Sequence, residues 1–591
     1  MRLLRAVVPA LLPLLAAPSL LAPLMAPLMA QDAAVAESSK QGDPLPAGMA
    51  EKIVAEGIEH SHAMRLLRDL CANGHRLTGS DNFTKACEWG LAEFEKMGLA
   101  AHLEQWAEWK LVWNRGAWIG RVVHPIQLDM YVATEAWTAG TKGMQKGLVM
   151  MVPDSVDQVD ADEVRGKWLF HGRRRPSAEV REACEKAGIL GWVYRAGDPT
   201  PQFPTRVRVF GDYRTAMKSI DDVPTVPSIA VRADDADQLL ELIDQASRGG
   251  GEAPICEFDI QNSFREGPIK LHNVIAEIPG TEKPDEVVIV CGHLDSWHQA
   301  QGTTDNGTGA TSTLEAARIL AAVGAKPKRT LRFCLWGGEE EGLLGSHGHV
   351  QRFRADMDKV SAVFNHDTGT NWAQTLSVTR KMAEQLEPVF AHVNRLMKAP
   401  DEDFDGEVFD LRITQSVRGG GGSDHASFIA AGVPAWSWGL KGRSDYFQYT
   451  WHTQWDTIDV AIEEYQRHTA TVIAIAALGT ANLDQLLDRE GVSAGGGGRG
   501  QSSAFAEGWF GASLDGMKFK DVKADGRAAK LGVMDGDVLI EVGGQKVENL
   551  RQIFQFAREV EGENVEFVFR RGDQTFKGAL PKSDVQFRRG G

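Results

Sequence analysis

Cysteine is scarce in this chain, and none of the six (Cys71, Cys87, Cys184, Cys256, Cys291, Cys334) stands in a CxxC pair. That spacing argues against thiolate zinc sites. Positive charge is short as well: 64 Lys and Arg face 80 Asp and Glu, a formal net charge of -16. Phosphate contacts need clustered cations, so non-specific nucleic-acid binding is disfavoured. The one compact basic run, Arg173-Arg174-Arg175, lies beside Gly172 and Pro176 and reads as a solvated loop. Beyond the N-terminus, no stretch approaches the ~20 consecutive apolar residues of a spanning helix. The one long apolar run comes first. Arg2 and Arg5 precede a Leu/Ala/Pro stretch that ends in small residues near Ala30, the pattern of an export signal over 1–30. A secreted or periplasmic mature chain with no transmembrane span is therefore expected. Export permits disulfides. Cys291 and Cys334 fall in strand-like runs and read as buried thiols, whereas pairing of Cys71 with Cys87 stays open.

What is present suggests several domains in 591 residues. HAMRLLRDLCA and FTKACEWGLAEFEKMG place apolar residues at helical spacing. From 125 to 265 the texture changes to short strands such as GLVMMVP and KWLFHG, which reads as a β-rich insert. The first pattern then resumes: EVVIVCGH, a helix TGATSTLEAARILAAV, TLRFCLWG, a further helix and VSAVFNHD. Strands alternating with helices predict an α/β domain over 50–124 and 266–487, with a mainly parallel sheet sandwiched by helices. Residues 488–503 are a glycine-rich linker by composition. A small domain of short strands follows over 504–583.

Open α/β sheets bind ligands at the carboxyl ends of their strands, where strand order switches. Three predicted strands end in metal-type side chains: His293 with Asp295 close behind, then Glu339-Glu340-Glu341, then His366-Asp367. Asp305 opens the loop DNGTG, and YTWHTQWDT supplies His452 and Asp456. Singly, each has a plain explanation: an Asp before Gly caps a turn, and tandem glutamates usually form a wet helix face. Their joint placement at successive strand ends points to a metal site, and mixed imidazole and carboxylate donors suit zinc. His347 and His349, two apart on a helix, cannot face the same way and read as structural or surface residues.

These motifs, GHLDS, TDNGTG, EEEGLLGS, NHD and HTQWDT in that order, resemble peptidase family M28, the co-catalytic zinc exopeptidases. The resemblance implies a zinc exopeptidase fold with a protease-associated (PA)-like insert and a PDZ-like C-terminal domain. It implies two Zn2+ per chain, bridged by Asp305, with His293 and Asp367 on one ion and Glu340 and His452 on the other. Glu339 would be the general base, and Asp295 would hydrogen-bond the far nitrogen of His293. A cis peptide at Asp305-Asn306 is also implied. The expected activity is hydrolysis of short unblocked peptides or dipeptides by a metal-activated water.

The family pattern is incomplete in SVRGGGGSDHASF, where glycines stand in place of a tyrosine that would steady the oxyanion. Asp424, His425 and Arg418 are candidates for the substrate pocket there. Which peptide end is read stays open. In AEGWFGASLDG, the backbone amides of Trp509, Phe510 and Gly511 are candidates to cradle the carboxylate of a peptide C-terminus. The PA-like insert reads as a lid or a homodimer surface. Two other classes compete: a metal-poor peptide-binding or receptor-like protein, and a single-zinc glutaminyl-cyclase-like acyltransferase. The complete donor set argues against both.

Overall fold

The computed structural model describes residues 42–493, apart from 173, 198, 200–201 and 419–421, and most of 510–582. The expected export signal and most of the expected glycine-rich linker lie outside the described residues. The main sheet has six strands: β1 (Ala100–Asn114), β2 (Ser263–Ile278), β3 (Lys283–His293), β4 (Arg329–Trp336), β5 (Val360–Asn365) and β6 (Ala435–Ser437). Their spatial order is β1-β2-β4-β3-β5-β6. β4, β3, β5 and β6 run parallel, and β2 and β1 join antiparallel at one edge.

Parallel strands covered on both faces read as unbroken apolar runs. Val288, Ile289, Val290 and Cys291 of β3 are accordingly all fully buried. The helices are α1 (Met49–Glu59), α2 (Ala63–Cys71), α3 (Asp81–Lys96), α4 (Thr308–Ala322), α5 (Leu344–Arg352), α6 (Arg380–Leu396), α7 (His425–Ile429) and α8 (Glu463–Ala481). Successive strand side chains point to opposite faces, and the end of β4 displays both layers. Leu335 faces Gly90 of α3, which packs with α4, as α4 does with α8, on one side. Trp336 packs at a tilt against His349 of α5 and Phe428 of α7 on the other. Helix α8 is buried around nearly its whole circumference, which explains its apolar sequence on every face. Among the described residues, no helix is long and apolar enough to cross a membrane.

From β3 the chain crosses to β4 on one side, whereas from its other neighbour, β5, it goes outward to β6, so the switch point lies between the carboxyl ends of β3 and β5, at His293 and Asp367. Helix α4 begins at the same place. A Cβ on Gly309 would lie 2.3 Å from the carbonyl oxygen of His366, so only glycine lets the start of α4 press against the strand ends.

The insert leaves the domain after β1 and returns at β2. These two strands pair from Ala100↔Glu277 to Asn114↔Ser263 and form its stem. Its eight-stranded sheet runs from Trp118–His124 through Ile255–Ile260 around its own core of Val122, Trp168, Phe170 and Phe258. The C-terminal strands, from Ser513–Asp515 to Gln574–Pro581, pair antiparallel over a core that includes Phe510, Phe519, Phe567 and Phe569. All six cysteines are buried and free. Cys71 Sγ lies 3.3 Å from Thr303 Oγ1 rather than on Cys87.

One buried side chain ties the N-terminal helices to the loop after β3. Arg76, in the turn between α2 and α3, is fully buried. Its guanidinium donates to the carbonyls of Leu294 (2.6 Å), Gln301 (2.6 Å) and Gly302 (2.8 Å). Charged donors make strong hydrogen bonds, and unpairing buried groups is costly. Arg76→Met is expected to destabilise the fold by about 3 kcal/mol or more, read as a lowered thermal midpoint. Exposed Arg354→Met should move it little; equal small shifts would contradict the clamp.

Candidate metal centre

Three strand ends and two loops meet above the switch point. His293 closes β3, Glu339 and Glu340 lie in the turn between β4 and α5, and Asp367 follows β5. Asp305 sits just before α4, and His452 comes from the segment ahead of α8. Asp305 is the shared member. Its Oδ1 lies 3.3 Å from His293 Nε2, and its Oδ2 3.0 Å from His452 Nε2. Asp367 Oδ1 is 3.6 Å from His293 Nε2, and Glu340 Oε2 is 3.0 Å from His452 Nε2. Two donor groups result, His293–Asp305–Asp367 and Asp305–Glu340–His452, with the ligand atoms of each within 4.8 Å of one another. Glu339 belongs to neither group; its Oε2 stands 3.8 Å from His293 Nε2.

The backbone around these donors is fixed by other side chains. Asp456, buried, accepts hydrogen bonds from the Thr304 amide (2.6 Å), the Thr304 hydroxyl (2.8 Å) and the Asp305 amide (3.1 Å). Asn306 donates to the His366 carbonyl at 2.8 Å and accepts from the Gly309 amide at 2.9 Å. The Asp305-Asn306 peptide is cis. Asp295 differs in detail from the expected orienter of His293. Its backbone carbonyl is 3.1 Å from His293 Nδ1, while its carboxylate is 3.6 Å away. That carboxylate instead accepts from the amides of Glu339 and Glu340, each at 3.2 Å, and from the Thr78 hydroxyl at 3.2 Å. One residue therefore orients the imidazole and the glutamate turn together.

Burial concentrates negative charge here. It pushes the Glu339 carboxyl well up, with neighbouring Asp367 and Asp424 adding to the rise. Burial, with Asp305 beside it, raises Glu340 to about 7. Burial would lower His452, but Glu340 and Asp305 outweigh it and raise the imidazole to about 10. Asp305 is held low, against its own burial, by the two histidines. Several carboxylates crowded around two imidazoles in a buried site need cations to balance them. The nitrogen and oxygen donors fit zinc.

The remaining candidates separate. Asp424 and His425 are buried next to the centre; burial raises Asp424 to about 7 and lowers His425 to about 4, with Asp367 nearby. Arg418 does not join them. Residues 417–418 pair with 492–493, and the exposed Arg418 guanidinium bonds Ser416 Oγ at 2.9 Å. His298 Nε2 donates to the Thr134 carbonyl (2.8 Å), under the insert. His349 is buried against Glu104, while His347 is exposed. Phe510 is a core residue of its domain, and Trp509 and Gly511 lie outside the described residues. Two aromatic residues at the centre were not read from the sequence. Tyr446 is buried against Gly369, and burial together with the Asp305 carboxylate pushes its phenol well up. Phe210, from the insert, meets the His452 ring edge-on at 5.3 Å. Tyr446 lies just ahead of the YTWHTQWDT stretch, in an irregular turn that carries no periodicity to mark it.

The protonation states set an expectation for metal loading. At neutral pH His452 keeps its proton, which a divalent cation must displace, so binding releases protons and tightens as pH rises. Calorimetric titration of zinc into chelator-stripped protein, in buffers of different ionisation enthalpy, should show that release. Binding should be tighter near pH 8 than near pH 6.5. Binding without proton release would contradict the arrangement.

Residues 273–476 match the family model of peptidase family M28, and residues 518–571 match that of the PDZ domain. Carboxypeptidase Q of Mus musculus is 29% identical over 432 residues, covering 70% of this chain and 84% of that protein. The Homo sapiens protein is 27% identical over 436 residues, with the same coverage. The crystal structure of a peptidase M28 precursor from Shewanella amazonensis shares the fold, with a TM-score of 0.52, 22% identity, and coverage of 74% of this chain and 97% of that one. The chain thus carries a peptidase family M28 domain, of the metallo-exopeptidase kind, followed by a PDZ domain.

Proposed function

We propose that the chain is an exported di-zinc exopeptidase that hydrolyses short unblocked peptides, dipeptides among them, with Glu339 as general base. The observation that carries this reading is one carboxylate, Asp305, facing two separate donor groups, with a further buried acid, Glu339, beside them. Two divalent ions held there would supply Lewis acidity and a water of lowered pKa. Glu339, outside both donor groups, is free to take a proton from the attacking water and pass it to the leaving amine. Its backbone is held by the Asp295 carboxylate, so its carboxyl group is aimed before substrate arrives. The Tyr446 hydroxyl, beside the Asp305 carboxylate, is the candidate we propose for donating to the oxyanion, the task for which the glycine run offers no side chain.

The PDZ domain supports capture of a peptide C-terminus by strand addition. In this reading it recruits or anchors and takes no part in hydrolysis.

Two experiments test the reading. Matched dipeptides, free, N-acetylated and C-amidated, are offered to the zinc-loaded protein and to a chelator-treated control. Chelator-sensitive cleavage of the free form is expected. Loss on acetylation identifies an enzyme that reads the amine, and loss on amidation one that reads the carboxylate. No chelator-sensitive cleavage of any form would overturn the proposal. In the second, Glu339→Gln should keep both metals and lose nearly all turnover, and Tyr446→Phe should lower kcat by about 10–100-fold with metal retained. Parallel loss of metal and activity would show that these residues act only by holding the site together.

A further inference from the structure

The insert does more than cover the domain from which it grows. Its segment 203–211 lies along the stretch that delivers His452, and contacts recur down its length. The ring of Phe203 stacks on Tyr449 at 5.0 Å. Gln454 donates to the Thr205 carbonyl and accepts from the Val207 amide, both at 2.9 Å. The guanidinium groups of Arg206 and Arg208 donate to the Phe447 carbonyl at 3.0 and 3.2 Å. Arg208 also lies over the Trp451 ring, 4.9 Å from its centroid. At the far end, the Phe210 carbonyl accepts from the Ala136 amide at 2.9 Å.

Anchored in this way, the segment has little freedom, and its side chains divide sharply. Val207 and Val209 are buried, at 0% and 3% exposure, whereas Phe210 between this core and the centre keeps 44% of its surface exposed. An exposed phenylalanine alone means nothing. This one stands edge-on to His452 at 5.3 Å and to Trp297 at 5.3 Å, and Trp297 is itself 6.3 Å from His452. An apolar corner with one open side thus abuts a ligand of the metal centre, and its base is rigid.

We infer that Phe210, with Trp297 behind it, forms an apolar side-chain subsite for a large aliphatic or aromatic residue flanking the scissile bond. This rests on the peptidase reading above. Pockets that bind small molecules combine apolar walls with a few placed polar groups. Here the polar groups are the donors of the metal centre, and the wall comes from the insert, so the insert sets substrate preference. A peptide side chain laid on Phe210 removes apolar surface from water on both partners, an advantage that glycine cannot share.

The test uses zinc-loaded full-length protein and dipeptides in which one residue at a time is glycine, alanine, leucine or phenylalanine. The unaltered protein should favour leucine or phenylalanine over glycine on one side of the bond. In Phe210→Ala the ratio of kcat/KM for the leucine over the glycine substrate should fall about tenfold or more, and Phe210→Leu should restore much of it. Metal content and thermal midpoint of both variants should match the unaltered protein. A uniform loss across all substrates, a loss of metal, or an unchanged ratio would overturn the subsite, the second by making Phe210 a support for His452. Absence of chelator-sensitive hydrolysis by the unaltered protein would instead bring down the peptidase reading on which the subsite depends.

Discussion

A single buried carboxylate organises this molecule. Asp305 stands between two imidazoles, 3.3 Å from one and 3.0 Å from the other, in an interior that penalises every uncompensated charge. Keeping it there engages distant parts of the chain. Asp456 bonds the amides of Thr304 and Asp305, Asn306 bridges to the strand end at His366, and Gly309 lets α4 close in. Arg76 holds the loop that leads from His293 to Asp305 by three carbonyls. Each of these groups is buried and costly to leave unpaired, so the loops around the centre are as constrained as the sheet beneath them.

The sheet supplies direction. Parallel pairing of β4, β3 and β5 brings their carboxyl ends to one rim, and the switch between β3 and β5 opens the crevice between the crossovers. The antiparallel pair β1 and β2 has another use: it carries the insert out of the domain and back. The insert then returns to the same rim through residues 203–211. It has a core of its own, yet hydrogen bonds from Gln454 to Thr205 and Val207 tie it to the segment that delivers His452.

The sequence carried much of this, unevenly. The buried strands were legible because VVIVCG and TLRFCLW are nearly unbroken apolar runs, and the donors other than His452 because each ends or follows such a strand or opens a glycine-bearing loop. Other features depend on contacts that no local pattern records. A buried arginine reads as a surface one until the carbonyls that surround Arg76 are in place. Asp295 has the right location, but its carboxylate turns to the amides of the next strand's turn, a choice made by β3–β4 register. Arg418 was placed near the pocket by proximity to Asp424 in sequence, and a two-residue pairing with 492–493 turns it outward. Phe210 and His452 are more than two hundred residues apart, and only docking of the insert makes them neighbours.

The central claim is that Asp305 bridges two metal ions. The most direct measurement is anomalous scattering at the zinc edge from crystals of the zinc-loaded protein. The account predicts two peaks about 3.5–4 Å apart, one bound by His293 and Asp367, the other by Glu340 and His452, with Asp305 on both. One peak, or two that do not share Asp305, would contradict it.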